Sequence, residues 1–333
     1  MMVISRTPFR ISFFGGGTDY PAWYRDNGGL VLGATIDKYC YVIVRYLPPF
    51  FSYKYRIRYT QREETQTIDE IKHPSVRECL RFVNFDRGVE IQHNADLPAQ
   101  SGIGSSSAFT VGLLNALYAL KGKMVTKRQL ALEAIYVEQE RIGESVGSQD
   151  QTFAAFGGFN RITFGGAQEV VVQPVIIDPE KLALLQKHCV LFFTGFSRNA
   201  SEIAAEQISK IPERNKELQT MRQLTDEAVN VLCYNGASPE EFGRLLHENW
   251  QVKRSLTSKI TTFAIDEIYQ AGRSAGAMGG KLLGAGGGGF ILFFIKPELQ
   301  PAIREKLQKL VYVPFKFEDL GTQIIYYRPN DNF

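Results

Sequence analysis

Two periods of hydrophobic and polar positions run through this chain, and they divide it into strand-like and helix-like segments. Residues 4–14 read as extended, and 39–46 form a β-rich run that stops at Pro48-Pro49. Residues 56–60 suit another strand. Val76, Leu80 and Val83 recur at helical spacing within 74–85. A strand-like run at 89–93 leads into a helix-like run at 105–120. A second helical stretch starts at Thr126, with Leu130, Ala134, Val137 and Arg141 set among acidic residues. Gly157-Gly158 precede strand-like runs at 159–164 and 169–175. After a turn at Asp178-Pro179 comes a strand at 190–193, then helices at 201–211, 213–234, 239–256 and 262–275. The tail reads as a strand at 290–295, a helix at 297–310 and strands at 311–317 and 323–327. These elements predict an α+β protein in two parts, 1–178 and 179–333, with no internal repeat.

Composition narrows the class. A chain of 333 residues with 44% hydrophobic and 22% charged content is long enough for two globular cores. The 38 basic and 35 acidic residues leave a net charge of only +3, which argues against a nucleic-acid-coating surface. Cys40, Cys79, Cys189 and Cys233 lie far apart and form neither a zinc pattern nor a disulfide framework. His73, His93, His188 and His247 are equally scattered. The N-terminal segment lacks the layout of a signal peptide, and the longest apolar runs are too short to span a bilayer. A cytoplasmic protein with reduced thiols is expected, without a membrane or nucleic-acid partner.

Three glycine-rich segments carry the candidate chemistry: Gly15 to Asp19, Gly102 to Ser107, and Gly284 to Gly289. Glycine lets backbone approach a ligand closely. The middle segment follows a strand and opens a helix, which aims free N–H groups and the positive end of a helix dipole at one point, as phosphate requires. It lacks the Gly-Lys-[Ser/Thr] ending of a Walker loop, and a plain turn with a serine N-cap competes evenly with it. Four glycines in succession at 286–289 exceed what a turn needs. They point to close backbone packing, against a ligand or against the first glycine loop. Arg10, inside an apolar strand, needs a partner or an anionic ligand. Glu138 and Glu144 read as a solvated helix face, and Asp150 as a loop carboxylate following the helix.

Taken together, the segments resemble the GHMP small-molecule kinases. The order is Arg10-x-x-x-x-Gly15-x-x-Thr18-Asp19, Pro98-x-x-x-Gly102-x-Gly104-Ser105-Ser106, Gly147-x-x-Asp150-Gln151 and Gly284-Ala-Gly-Gly-Gly288. Within that superfamily residues 6–19, 35–39, 194–198 and 247–254 look most like the D-glycero-D-manno-heptose 7-phosphate kinases. The resemblance implies an N-terminal ribosomal-protein-S5-like domain with a left-handed βαβ crossover and a C-terminal ferredoxin-like domain. It also implies ATP and Mg²⁺ as cofactors. Asp150 would be the catalytic base with Arg10 beside it, and Ser106 with Glu140, ten residues before Asp150, would hold the metal. Pro98, Ser101, Gly102, Ile103, Gly104, Ser105, Ser106 and Ser107 would surround the nucleotide phosphates. Gly16, Gly17, Thr18, Asp19, Lys38, Arg198, Gly286 and Gly287 would meet the substrate, with Asp19 on sugar hydroxyls. Galactokinases carry Gly-Glu-His-Thr-Asp where this chain has Gly15-Gly16-Gly17-Thr18-Asp19, which leaves room for a bulkier sugar.

The reaction so implied is ATP-dependent phosphorylation of the anomeric hydroxyl of a sugar phosphate, the heptose 7-phosphate first, giving the 1,7-bisphosphate for surface-glycan synthesis. Lys38, Arg198, Lys253 and Arg254 are candidates for meeting the substrate's own phosphate, Arg198 foremost. The rivals are a fucose- or galactose-type kinase of the same superfamily and a non-catalytic sugar-binding regulator on the same fold. A homodimer is one candidate assembly.

Overall fold

The computed structural model describes residues 1–167, 169–195, 200–233 and 238–328. A nine-stranded sheet forms the first layer, built around the strands Met2–Phe14 and Gly29–Tyr46, which pair antiparallel along their length. Side chains in Met2–Phe14 alternate buried and half-buried as far as Arg6, and from Thr7 onward all are buried. Alternation marks a strand with one wet face, and its loss marks a strand covered on both faces. The 18-residue strand Gly29–Tyr46 serves several partners in turn. Its first third pairs with Phe159–Phe164, its middle with Phe317–Glu318, and its last third with Val89–Ala95. Tyr55–Arg58 runs parallel to Val89–Ala95, and the strand Arg62–Thr65 and the helix Pro74–Phe82 lie on the connection between them.

The second sheet is antiparallel and has the order Val311–Tyr312, Cys189–Phe193, Phe290–Phe294, Gly279–Leu282. Numbered along the chain these strands stand 4-1-3-2, with helices in the 1–2 and 3–4 connections, so the second part is ferredoxin-like. Phe242, on the helix Pro239–Arg254, packs against Phe13 and Phe14 of the first sheet with ring centroids 5.6 and 5.2 Å away. Those edge-on contacts seal the junction between the two parts.

Several boundaries differ from the sequence reading. The expected strand 311–317 is two strands in different sheets, because Pro314 has no N–H to continue a ladder and the chain crosses over there. Gln323–Arg328 then returns to pair with Met2–Arg6, so the last strands of the segment 179–333 lie in the first sheet. The expected helix 297–310 is a 3-10 turn, Pro297–Leu299, followed by the short helix Gln300–Lys306. Asp150 lies in the first turn of the helix Gln149–Phe156 and not in a loop. No helix among the described residues is long and apolar enough to cross a membrane.

Candidate active site

Glycine geometry brings the three Gly-rich segments together. The strand Val89–Ala95 ends in a turn that leads to Gly104, which caps the 16-residue helix Ser105–Leu120 in the left-handed conformation without any side-chain cap. The first N–H groups of that helix therefore point outward without an intrahelical acceptor. A Cβ on Gly102 would stand 2.4 Å from the carbonyl oxygen of Leu283, and one on Gly284 would stand 2.5 Å from the Cα of Gly102. Both residues also have positive φ. The C-terminal glycine segment thus packs on the middle glycine loop, backbone to backbone, and not on the first one. Gly286 and Gly287 pack instead on the loop at Ile260 and do not line the cavity: a Cβ on Gly286 would meet the Ile260 backbone at 2.7 Å, and Gly287 N–H donates to Ile260 O.

A cavity of about 620 Å³ opens between these loops. Gly102, Gly104 and Ser105 to Ser107 form one wall, and Gly16, Gly17, Asp19, Gln149 and Asp150 another. Arg10 reaches both. Its Nε and Nη2 donate to the two carboxylate oxygens of Asp150 at 2.8 Å each, while Nη1 donates to Gly102 O at 2.7 Å. The site where a Gly104 Cβ would stand is 3.4 Å from Asp150 Oδ2, so the serine-rich turn and the aspartate adjoin directly. A planar guanidinium holding both oxygens fixes the carboxylate plane and leaves lone pairs free for a further donor.

Deeper in, Asp19 accepts from Gly17 N–H at 2.8 Å and is only 2% exposed. Burial pushes its carboxyl pKa up, against the pull of those backbone donors. A Cβ on Gly147 would collide with Asp19 Oδ2, which accounts for the glycine there. Lys253 extends from the helix Pro239–Arg254, and its Nζ donates to Gly284 O at 2.6 Å. Burial lowers its ammonium to about 8, and Arg10 adds repulsion that Asp19 and Asp150 offset. At the opposite end of the cavity His73 and His93 flank the Phe109 ring, with centroids 5.0 and 4.9 Å away. Burial, with repulsion from His73, takes His93 down to about 4, so the rings at this end are uncharged near neutrality, with Lys72 the cation beside them.

Other expected site residues lie elsewhere. Glu140 is exposed and does not line the cavity. The helix Lys127–Tyr136 continues as the π-helix Val137–Ile142, and within that widened turn Glu138 is the glutamate that faces inward. Fully buried, Glu138 accepts from Ser107 Oγ at 2.8 Å and from the Gln151 amide, and burial raises its carboxyl to about 7. Its Oε1 has no partner. The solvated face expected for Glu138 is thus wrong, while Glu144 lies past the helix, half-buried on the cavity wall. Thr18 bonds to the Gly15 and Leu30 carbonyls, and Ser101 to the Pro98 carbonyl, so both shape loops from behind. Pro98 and buried Ile103 are likewise off the cavity wall. Lys38 pairs with Asp37, Arg254 pairs with Asp266, and neither reaches the cavity. Arg198 lies outside the described residues. Sequence reasoning missed Gln149 as a cavity residue and gave no weight to Ser12. Gln149 adjoins the Asp150 motif, and that adjacency was the available signal.

Comparison with known proteins shows the family of the chain. The GHMP kinase N-terminal domain model matches residues 72–158 and the GHMP kinase C-terminal model residues 233–313, together half of the chain. The chain belongs to the GHMP kinases. It is similar to the D-glycero-alpha-D-manno-heptose 7-phosphate kinase of Campylobacter jejuni, 29% identical over 320 residues that cover 92% of this chain and 93% of that protein. It is also similar to the L-fucokinase/L-fucose-1-P guanylyltransferase of Bacteroides fragilis, 27% identical over 91% of this chain but only 35% of that longer protein. Among solved structures, a D-glycero-D-manno-heptose 1-phosphate kinase from Bacteroides thetaiotaomicron superposes with a TM-score of 0.76 at 26% identity, covering 98% of this chain and 100% of that one. The protein is accordingly an ATP-dependent sugar kinase.

Proposed function

We propose that this kinase phosphorylates the anomeric hydroxyl of D-glycero-D-manno-heptose 7-phosphate, with Asp150 as the base. The observation that carries the reading is the direct contact of the serine-rich turn with the Arg10–Asp150 pair on one cavity wall. Phosphoryl transfer asks the protein mainly for positioning and charge neutralisation. The amides of Gly102 to Ser107 receive the nucleotide phosphates, and the aromatic lobe at Phe109, His73 and His93 receives the base. Asp150 accepts the proton of the attacking hydroxyl, which is more acidic at the anomeric position than in an ordinary alcohol. Arg10 fixes the carboxylate and neutralises charge that develops beside it. Asp19 binds sugar hydroxyls.

A hard cation fits the buried, unpartnered Oε1 of Glu138, whose other oxygen holds Ser107 Oγ, so we assign Mg²⁺ to Glu138 rather than Glu140, with Ser106 on the cavity wall as its second ligand. Bound there, Mg²⁺ would neutralise phosphate charge. The heptose is preferred over fucose because similarity to the 7-phosphate kinase extends over nearly all of both chains. Release of ADP should be measured with saturating ATP and a panel of heptose 7-phosphate, heptose 1-phosphate, mannose, fucose and galactose. The heptose 7-phosphate should be turned over at least ~100-fold more efficiently than the unphosphorylated sugars, a ratio within reach of pocket discrimination. A preference for fucose or galactose would replace the substrate while leaving the kinase class intact.

A further inference from the structure

The helix Ser105–Leu120 covers one face of the first sheet: Ser5 Oγ donates to Gly112 O, and a Cβ on Gly112 would stand 2.6 Å from Thr7 Oγ1. Met2, Ile4 and Arg6 alternate with those residues, so they point to the opposite face, and they stay half-buried. Directly paired residues of neighbouring strands share a face, so the pairing places two rows on that open side. One row is Arg328, Met2, Arg45, Glu90 and Arg56. The next is Tyr326, Ile4, Ile43, Gln92 and Arg58. Each row crosses five strands, about 19 Å at ordinary strand spacing. None of these residues takes part in the proposed phosphoryl transfer.

Positive charge is concentrated here. Arg45, Arg56 and Arg58 all share the single carboxylate of buried Glu90. Arg45 and Arg58 keep 42% and 43% of their side chains exposed. Arg328 is exposed and makes no ion pair among the described residues. At the far edge Arg62 and Glu64 pair with each other. Four arginines thus face one carboxylate, a surplus of +3 that equals the net charge of the whole chain. The second row adds an apolar stretch, with Tyr326 exposed and Ile4 and Ile43 half-buried. Arginine beside aromatic and aliphatic side chains is the composition of a binding surface rather than of a solvated one.

Charge and chemistry choose the occupant. A second copy of the chain about a two-fold axis would set arginines against arginines. Single-stranded nucleic acid needs ring faces on which bases stack, and Ile4 and Ile43 offer none. A membrane takes up protruding apolar side chains, whereas these lie low in a sheet. An acidic polypeptide satisfies both rows, with carboxylates on the guanidinium forks and aliphatic side chains on Ile4 and Ile43. We propose that this open face of the first sheet docks an acidic segment of a partner protein, gripped by Arg45, Arg58 and Arg328. Ile4 precedes Arg10 by about 20 Å of strand, so a docked partner leaves the cavity open. The docking does not depend on which sugar is phosphorylated.

Two fluorescein-labelled peptides of about 16 residues, half of them glutamate, serve as probes; one carries leucines where the other carries serines. Anisotropy is read with the full-length enzyme at about 0.15 M salt, where unspecific attraction between exposed charges is screened. The leucine peptide should bind with a Kd of roughly 10–100 μM, as small transient interfaces do, and at least ~5-fold more tightly than the serine peptide. Arg58→Gln combined with Arg328→Glu leaves Glu90 its bonds to Arg45 and Arg56. That variant should bind the leucine peptide at least ~10-fold more weakly, with kcat, KM and Tm unchanged. Should it fail to fold, Arg328→Glu alone should still weaken binding by ~3-fold or more. Ile4→Thr, which keeps a β-branched strand residue, should weaken the leucine peptide and leave the serine peptide unaffected. Equal binding of the two peptides, or equal binding by the wild type and the charge variant, overturns the proposal. So does tighter binding of poly(U) or of phosphatidylserine vesicles at the same salt, or a dimer in sedimentation that the charge variant dissociates.

Discussion

Two adjoining walls of the cavity are built from different materials. The wall at Gly102 to Ser107 is backbone and small hydroxyls, held in place by other backbone. The wall at Asp19, Asp150 and Lys253 is charge, buried at Asp19 and Lys253 and half-buried at Asp150, carried by side chains from separate elements. Backbone can present N–H groups to any polyphosphate, so such a wall sets the reaction class. Buried side-chain charge is costly unless every group has a partner, so the second wall is where identity of the acceptor is decided.

Breaking the charged wall should produce the largest effect. Asp150→Asn keeps the shape but removes the proton acceptor, and kcat should fall by about 10³-fold with ATP affinity retained, as stopped-flow nucleotide binding would show. Unchanged turnover would remove Asp150 as base. Next come the two glutamates two residues apart. Glu138→Gln should lower kcat by roughly 10²-fold and weaken the Mg²⁺ dependence of turnover, whereas Glu140→Gln should be neutral. Equal losses in both variants would contradict the inward turn at Glu138.

The backbone wall should break through stability instead. Gly102→Ala or Gly284→Ala drives a Cβ into opposing backbone at positive φ and should cost about 2–4 kcal/mol in chemical denaturation. Gly122→Ala, also at positive φ but with nothing within 4 Å, should cost only about 1 kcal/mol. The smallest effect is a pH dependence at Lys253. Its folded pKa is depressed from 10.5 to about 8, so kcat/KM for the sugar should fall as pH rises through 8. Stability should move the other way. Between the folded and unfolded values the unfolded chain binds more protons, so this site's contribution to stability rises with pH across that window. Lys253→Met should abolish both trends.

Legibility in the sequence followed the same division. The backbone wall was readable because glycine and serine between a strand and a helix declare a tight turn locally. Strands with clean alternation, such as Phe159–Phe164, were readable too. Gly279–Leu282 escaped notice because its two glycines carry no strand signal, yet it completes the second sheet. Gln149–Phe156 was hidden by its polar start and its eight-residue length. The choice of Glu140 over Glu138 failed for a sharper reason. Ordinary helical periodicity cannot foresee a π-helical turn, which shifts the inward face within two residues. Lys253 was visible only as one of four scattered cations, because its burial depends on contacts between the second part and the first.

The central claim is that this cavity transfers the γ-phosphoryl group of ATP to the anomeric oxygen of a sugar already phosphorylated at its far end, releasing ADP. Phosphorus NMR of a reaction containing ATP, Mg²⁺ and D-glycero-D-manno-heptose 7-phosphate tests it most directly. The account predicts a new resonance coupled to the anomeric proton, appearing with ADP while the original phosphate ester persists. Inorganic phosphate without a new ester, or an ester at any other carbon, would contradict it.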